Sequence, residues 1–192
     1  MSWSILLGGG RSSRMGADKL ELSRQGRSLA SWGLAALLAV SERVVFVSPH
    51  RSGTTSGAVT FVLEDPPFGG PVAGLAAALE VIPQSVGDVY LLAGDLAHPD
   101  AIVRRLAVAA PGPDGVALVD QEGWVQYLSG RYRTAALRAA LAELDDVRDV
   151  SVRRALGSLR LTKVTVPAAV IEDIDTPEQA ATQGFSTPGA AK

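Results

Sequence analysis

Leu6-Leu7-Gly8-Gly9-Gly10-Arg11-Ser12-Ser13-Arg14-Met15-Gly16-Ala17-Asp18-Lys19 closes the first apolar run of the chain and governs how the rest is read. Residues 4–7 read as a short buried strand that runs straight into three glycines. Glycine permits positive φ and lets backbone amides approach phosphate oxygens closely. Ser12 and Ser13 add hydroxyl donors. Arg11, Arg14 and Lys19 set three cations in one loop of a chain whose net charge is −2. The spacing is not that of the P-loop, in which a Gly-Lys pair precedes Ser or Thr, because Lys19 follows Asp18 and precedes Leu20. Nor is it the dinucleotide fingerprint, which would need glycine where Ser13 stands. The plain alternative is a glycine-rich connection with solvated charges.

Strand-like and helix-like stretches alternate beyond this loop. Residues 28–40 predict a helix rich in Ala and Leu, and 43–47 (RVVFV) a short β-branched strand of the buried parallel kind. A strand is expected at 59–63 and a helix at 71–81, with Pro71 at its first position. A strand follows at 86–93 and a helix at 99–109. Residues 116–119 and 124–129 read as a strand pair about the turn at 121–123. Helices at 133–144 and 151–156 and a strand at 161–166 complete the pattern. Such alternation predicts an α/β fold: a single domain with a mostly parallel, Rossmann-like sheet and helices on both faces, ligands lying beyond the carboxyl ends of the strands. The domain is expected to span residues 1–183, with 184–192, rich in Gly, Ser, Thr, Pro and Ala, as a disordered tail.

Composition narrows the function. The chain has 192 residues, of which 47% are hydrophobic and 20% charged, a globular balance. Eighteen basic against 20 acidic residues argue against nucleic acid or anionic lipid as partner. No apolar run approaches the roughly 20 residues of a membrane helix. With no cysteine, disulfides, thiolate zinc sites and cysteine nucleophiles are excluded, which fits a cytoplasmic location.

Two carboxylate segments are candidates for phosphate chemistry. Val89-Tyr90-Leu91-Leu92-Ala93-Gly94-Asp95 is an apolar strand ending in a carboxylate, at the position where such sheets bind ligands. Magnesium on a triphosphate takes one or two carboxylates with phosphates and waters, so Asp95 is the leading metal ligand; a turn or cap is its alternative. The second candidate lies in Ile171-Glu172-Asp173-Ile174-Asp175-Thr176-Pro177-Glu178. Alternation puts Asp173 and Asp175 on one side of an extended chain. Asp175 has two readings, metal ligand or cap of the helix that Thr-Pro announces. Gly74 reads as a close helix-to-sheet contact or as a nucleotide contact. His50 and His98 belong to no catalytic constellation. Trp3, Trp32 and Trp124 read as packing residues.

LGGGRSSRMGADK resembles the signature LAGGxSxRMGxDK of the molybdenum cofactor guanylyltransferases, nucleotidyltransferases related to the sugar-nucleotide pyrophosphorylases. Glu64-Asp65 followed by Gly69-Gly70-Pro71-Val72-Ala73-Gly74-Leu75 is similar to the family's Asp and GPLAG blocks. Gln126-Tyr127-Leu128 stands where the family has QPL, and residues 173–177 where it has Asn-x-Asn-Thr-Pro. The resemblance, over most of residues 4–182, implies a magnesium-dependent transfer of GMP from GTP to the terminal phosphate of molybdopterin. It implies that Arg14, Lys19 and Asp95 carry the chemistry, with Asp18 orienting Lys19. Leu6, Leu7, Gly8, Gly9, Gly10, Ser12, Lys19, Asp65, Gly70, Gly74 and Asp95 would meet the nucleotide, the two leucines as an apolar wall against the base. Asp95 and Asp175 would hold the metal. GTP and molybdopterin would be the small-molecule partners, with transient contacts to cofactor-delivery or acceptor enzymes. The chain departs from the family at Ala97, where a proline is usual, at Pro49, where an asparagine can stand, and at Tyr127. A nucleotidyltransferase acting on a sugar phosphate or another cofactor is the nearest alternative. A silent nucleotide- or cofactor-binding module is the alternative from another class.

Overall fold

The computed structural model describes residues 2–8, 18–49 and 57–187. Strand β1 (Trp3–Leu7) lies inside a seven-stranded sheet. It pairs in parallel with β4 (Arg43–Val47) on one side and β6 (Asp88–Ala93) on the other, and β5 (Val59–Val62) adds in parallel to β4. Beyond β6 the order continues through β8 (Val125–Arg133), β7 (Gly115–Val119) and β9 (Leu161–Thr165). Only β8 runs against the rest, antiparallel to both β6 and β7. The expected 116–119/124–129 strand pair is therefore present, with its second strand extended to Arg133 and inserted between β6 and β7.

The period of two along each strand sorts the core into two layers. Ile5, Leu7, Val45, Val47 and Leu91 face helices α2 (Pro71–Val81), α4 (Thr134–Ala142) and α5 (Val152–Leu156). Leu6, Val44, Phe46 and Leu92 face α1 (Leu29–Leu38) and α3 (Pro99–Val108). Helices thus cover both faces of a mostly parallel sheet, as the alternating pattern predicts. Because the chain leaves β1 toward β4 and returns on the other side at β6, the carboxyl ends of these strands flank a crevice.

Two further features complete the architecture. A two-stranded hairpin, β2 (Ser23–Arg24) with β3 (Arg27–Ser28), turns through Gln25 and Gly26, both at positive φ. A last helix, α6 (Pro177–Thr182), precedes a segment that the sequence assigns to a disordered tail. Residues 184–186 correct that boundary. Phe185 is buried with Leu22, Leu29, Ala97, Ile174 and Ala180 in a third, small core. Ser186 bridges Ser23, and the Arg24 guanidinium sits 4.4 Å over the Phe185 ring. One aromatic side chain outweighs the tail-like composition around it. Phe185→Ala should cost about 3 kcal/mol in urea unfolding, as for other buried phenylalanines; an unchanged midpoint would place this segment outside the cooperative unit.

Candidate functional site

The site assembles at the carboxyl ends of β1 and β6, where two glycines let the chains touch. Gly8 donates from its amide to the Val47 carbonyl (2.9 Å), and Gly94 to the Leu7 carbonyl (2.8 Å). A Cβ at Gly8 would strike the Phe46 ring and Leu20, and one at Gly94 would press on Leu20 and the Leu7 carbonyl at 3.0 Å. Leu20 is the plug over this contact and is 3% exposed. It belongs to a one-turn 3-10 helix, Lys19–Glu21, whose start is capped by the Asp18 carboxylate accepting from the Leu20 amide (3.0 Å). A buried leucine and a capped turn thus hold the base of Lys19 in place.

Its ammonium reaches two carboxylates. Lys19 Nζ lies 2.5 Å from Asp95 Oδ2 and 3.0 Å from Asp175 Oδ1. Asp95 follows β6 after the single residue Gly94, as its place at the end of an apolar strand implies. Asp175 is carried there by backbone pairing: Leu96 bridges Asp173, the Ile174 amide donates to the Asp95 carbonyl (2.9 Å), and the Ala97 amide to the Glu172 carbonyl (2.9 Å). Ile174 is fully buried, which turns the residues on either side of it outward. Thr176, not Asp175, caps α6: its hydroxyl accepts from the Gln179 amide, while Gln179 Oε1 accepts from the amides of Asp175 and Thr176, both at 2.9 Å. This reciprocal capping box satisfies the helix start and leaves the Asp175 carboxylate to Lys19.

Electrostatics follow from this crowding. Burial alone would lower the Lys19 pKa, but attraction and hydrogen bonding from Asp95, then from Asp175, outweigh it and hold the value above the ordinary 10.5. Lys19 is therefore a fixed cation at any physiological pH. Asp173 moves the other way for a carboxyl. Desolvation, then the negative charges of Asp175 and Asp95, raise it above the usual 3.8, against the weaker pull of its own backbone amide and Lys19.

The other sequence candidates fall into three groups. Gly9, Gly10, Ser12 and Arg14 lie outside the described residues, as does His50. Asp65 is exposed, and Gly70, at φ 88°, precedes the first turn of α2; both follow β5 on the carboxyl-end rim. Glu64 joins them there, accepting from the Gly69 amide (3.1 Å). Two expectations need correction. Leu6 is fully buried against Gly33 of α1, and Leu7 packs in the opposite core layer, so their side chains form no wall against a base. Gly74 is buried within α2, its amide donating to the Gly70 carbonyl, with Val47 Cγ1 only 3.0 Å from where a Cβ would stand; it is a packing residue. Asp18 caps the backbone turn that carries Lys19.

Beside Asp95 a cleft of about 320 Å³ opens, walled by Gln126, Tyr127 and Leu128 of β8 and by Ile171 and Asp173. It exists because β8 parts from its neighbours. Its last pair with β6 is Ser129 with Leu92, and between Gly130 and Gln126 three residues have no partner on β7. The buried Tyr132 hydroxyl donates to the Tyr127 carbonyl (2.6 Å) and spans this bulge. Glycine is required at 130, because a Cβ there would meet the Tyr132 ring. Trp124 is exposed next to the cleft's strand, with Arg153 stacked 5.6 Å from its ring centre.

An α/β nucleotidyltransferase-like fold with a charged site at the carboxyl ends of its parallel strands is the class these features define. Residues 4–163 match the MobA-like NTP transferase domain, and the chain belongs to that family. None of the curated protein sequences matches it. Among solved structures it is similar to Rv0371c from Mycobacterium tuberculosis H37Rv, at 20% identity and TM-score 0.74, covering 94% of this chain and 95% of that one. Molybdopterin-guanine dinucleotide biosynthesis protein A from Archaeoglobus fulgidus aligns at 20% identity and TM-score 0.67, covering 95% and 96%. The 2-C-methyl-D-erythritol 4-phosphate cytidylyltransferase from Thermus thermophilus aligns at 21% and 0.62, covering 96% and 98%. At such identities the likeness establishes a shared fold. Among the described residues no helix is long and apolar enough to cross a membrane.

The like-charge crowding at Asp173 has a measurable sign. A raised folded-state pKa means that the ionised group opposes folding at neutral pH. The opposition is gone once pH falls below 3.8, where the group is protonated in both states. Asp173→Asn should therefore raise the Tm of the metal-free protein at pH 7, and the gain should vanish in melts below pH 3.8. A variant with no gain at pH 7 contradicts this arrangement.

Proposed function

We propose that this nucleotidyltransferase moves GMP from GTP to the terminal phosphate of molybdopterin, releasing pyrophosphate. The observation that carries the reading is the lysine ammonium between Asp95 and Asp175 at the strand ends, in a chain whose glycine loop resembles that of the guanylyltransferases. The similarity to the Archaeoglobus protein supports the same choice of substrates.

In the proposed reaction an oxygen of the acceptor phosphate attacks the α-phosphorus, and the bond from that phosphorus to the bridging oxygen of pyrophosphate breaks. No protein nucleophile is required, because orientation and charge stabilisation suffice for phosphoryl chemistry. Lys19, held protonated, stabilises charge that accumulates on the departing pyrophosphate, together with Arg14 and the loop amides of residues 8–10. The acceptor lies along Gln126, Tyr127 and Leu128, in the cleft beside Asp95.

The carboxylates fit a hard divalent cation. An ammonium already occupies the space between Asp95 and Asp175, so a cation is at home there. Among the described residues no three-ligand His, Cys, Asp or Glu group could hold a metal on its own, which suits magnesium, an ion that takes one or two carboxylates and completes its shell with phosphates and water. When bound, it would neutralise triphosphate charge. Rv0371c, a structural neighbour at 19% identity, has been crystallised as a manganese complex.

A second reading is favoured by the Thermus neighbour, a cytidylyltransferase of the same fold: CTP as donor and a polyol or sugar phosphate as acceptor. A silent binding module is disfavoured, because binding alone does not call for Lys19 and Asp95 to be gathered in this way. A pyrophosphate-release screen of GTP, ATP, CTP and UTP against molybdopterin and sugar phosphates decides among them. GTP with molybdopterin is the expected productive pair; turnover with CTP or UTP and a sugar phosphate would replace this reading, and no turnover or triphosphate binding would favour the silent module. In calorimetry GTP should bind more tightly than the other three by ~1–3 kcal/mol for each buried contact that the wrong base leaves unmade. Lys19→Ala should lower turnover by about 10²–10³, more than it weakens nucleoside binding.

A further inference from the structure

Lys19 occupies the seat that the proposed reaction assigns to a divalent cation. Its ammonium touches one oxygen of Asp95 and one of Asp175, at 2.5 and 3.0 Å. The seat is built independently of Lys19. Asp95 is fixed by β6 and by the Ile174 amide on its carbonyl, and Asp175 by the Gln179 capping box. Asp173, paired to Leu96, adds a third carboxylate to the neighbourhood. Two carboxylates on one ammonium, with Asp173 close by, leave negative charge in excess, so a cation of higher charge is favoured there once the ammonium has another partner. The base of Lys19 is anchored by Leu20 and Asp18, but four methylenes separate that base from the charge. Lysine is a compact point charge on a pivoting stem, and an incoming triphosphate offers it oxygens.

We propose that Lys19 is a resident plug of the metal seat, so that a divalent cation binds the free protein weakly and binds well once triphosphate has drawn the ammonium away. The proposal rests on the reading of the site as a triphosphate centre. Nucleotide and metal are then positively coupled through one side chain, and by linkage each raises the affinity for the other by the same factor. The arrangement keeps the carboxylates charge-paired between turnovers and reserves the metal for the loaded site.

The test is Mn²⁺ affinity, read from the free-ion EPR signal, for wild type and for Lys19→Met, Lys19→Arg and Lys19→Met/Asp175→Asn. Without nucleotide, Lys19→Met should bind Mn²⁺ on the order of tenfold more tightly than wild type. The gain should be lost in the double variant, which removes one side of the seat; mere removal of a nearby positive charge would leave it intact. Lys19→Arg keeps a cation between the carboxylates and should bind Mn²⁺ as weakly as wild type, which guards against misreading a folding defect. With a GTP analogue carrying an α,β-methylene bridge, wild type should tighten toward the Lys19→Met value. Equal Mn²⁺ affinity of nucleotide-free wild type and Lys19→Met, or a gain that survives Asp175→Asn, overturns the proposal. Failure of every variant to bind the analogue would instead count against the triphosphate reading, and the nucleotide-free comparison would still decide the plug.

Discussion

One ammonium between two carboxylates joins three remote parts of the chain, Asp95 lying 76 residues from Lys19 and Asp175 lying 156. Much of the fold serves that meeting. The parallel pairing of β1 with β6 brings the loop that follows one strand beside the residue that follows the other. Gly8 and Gly94 allow the two backbones to touch, and Leu20 seals the contact from above. The antiparallel bridge between Leu96 and Asp173 then folds the end of the chain back over the same strand ends. The ion pairs are part-buried, so they are screened less than surface pairs, but they leave the ammonium within reach of a ligand.

The second constraint is the reversal of β8. A strand paired with both neighbours along its whole length would leave no gap between them. An antiparallel strand that bulges over three residues leaves β6 at Ser129 and makes the wall of a cleft instead. Tyr132 holds the bulge from inside. Its hydroxyl is bound to the Tyr127 carbonyl, and burial pushes its pKa far upward, so it remains a neutral donor. The cleft and the charged site therefore share an edge at Asp95 and Asp173, the geometry that a transfer between two bound molecules requires.

Much of this was legible in the residues themselves. Pro71 behind Gly70 marks the start of α2, and the helix runs from 71 to 81 as read. The buried strands 4–7 and 43–47 were legible from apolar, β-branched runs, and Asp95 from its place at the end of one. Other features depend on contacts that no local pattern carries. Asp18 is the nearest carboxylate to Lys19 in sequence, yet its short side chain closes the turn, and the partners of Lys19 come from far along the chain. Period two puts Leu6 and Leu7 on opposite faces of β1, both inside the core of a two-sided sheet, which removes them as a wall for a base. Gln25-Gly26 is a weaker hairpin signal than Asn-Gly, and Phe185 stands alone among tail-like residues. Asp175 is the instructive middle case: cap and ligand are both open readings in the sequence, and the Thr-Pro-x-Gln that follows removes the cap by supplying its own capping box.

The most direct test of the site is pyrophosphate release by Asp95→Asn with magnesium, GTP and acceptor, beside a thermal melt of the same variant. The account predicts a folded protein whose turnover falls by about 10²-fold or more, because a neutral amide cannot share the charge that the ammonium and the proposed metal bring. A folded variant that turns over at close to the wild-type rate would contradict it.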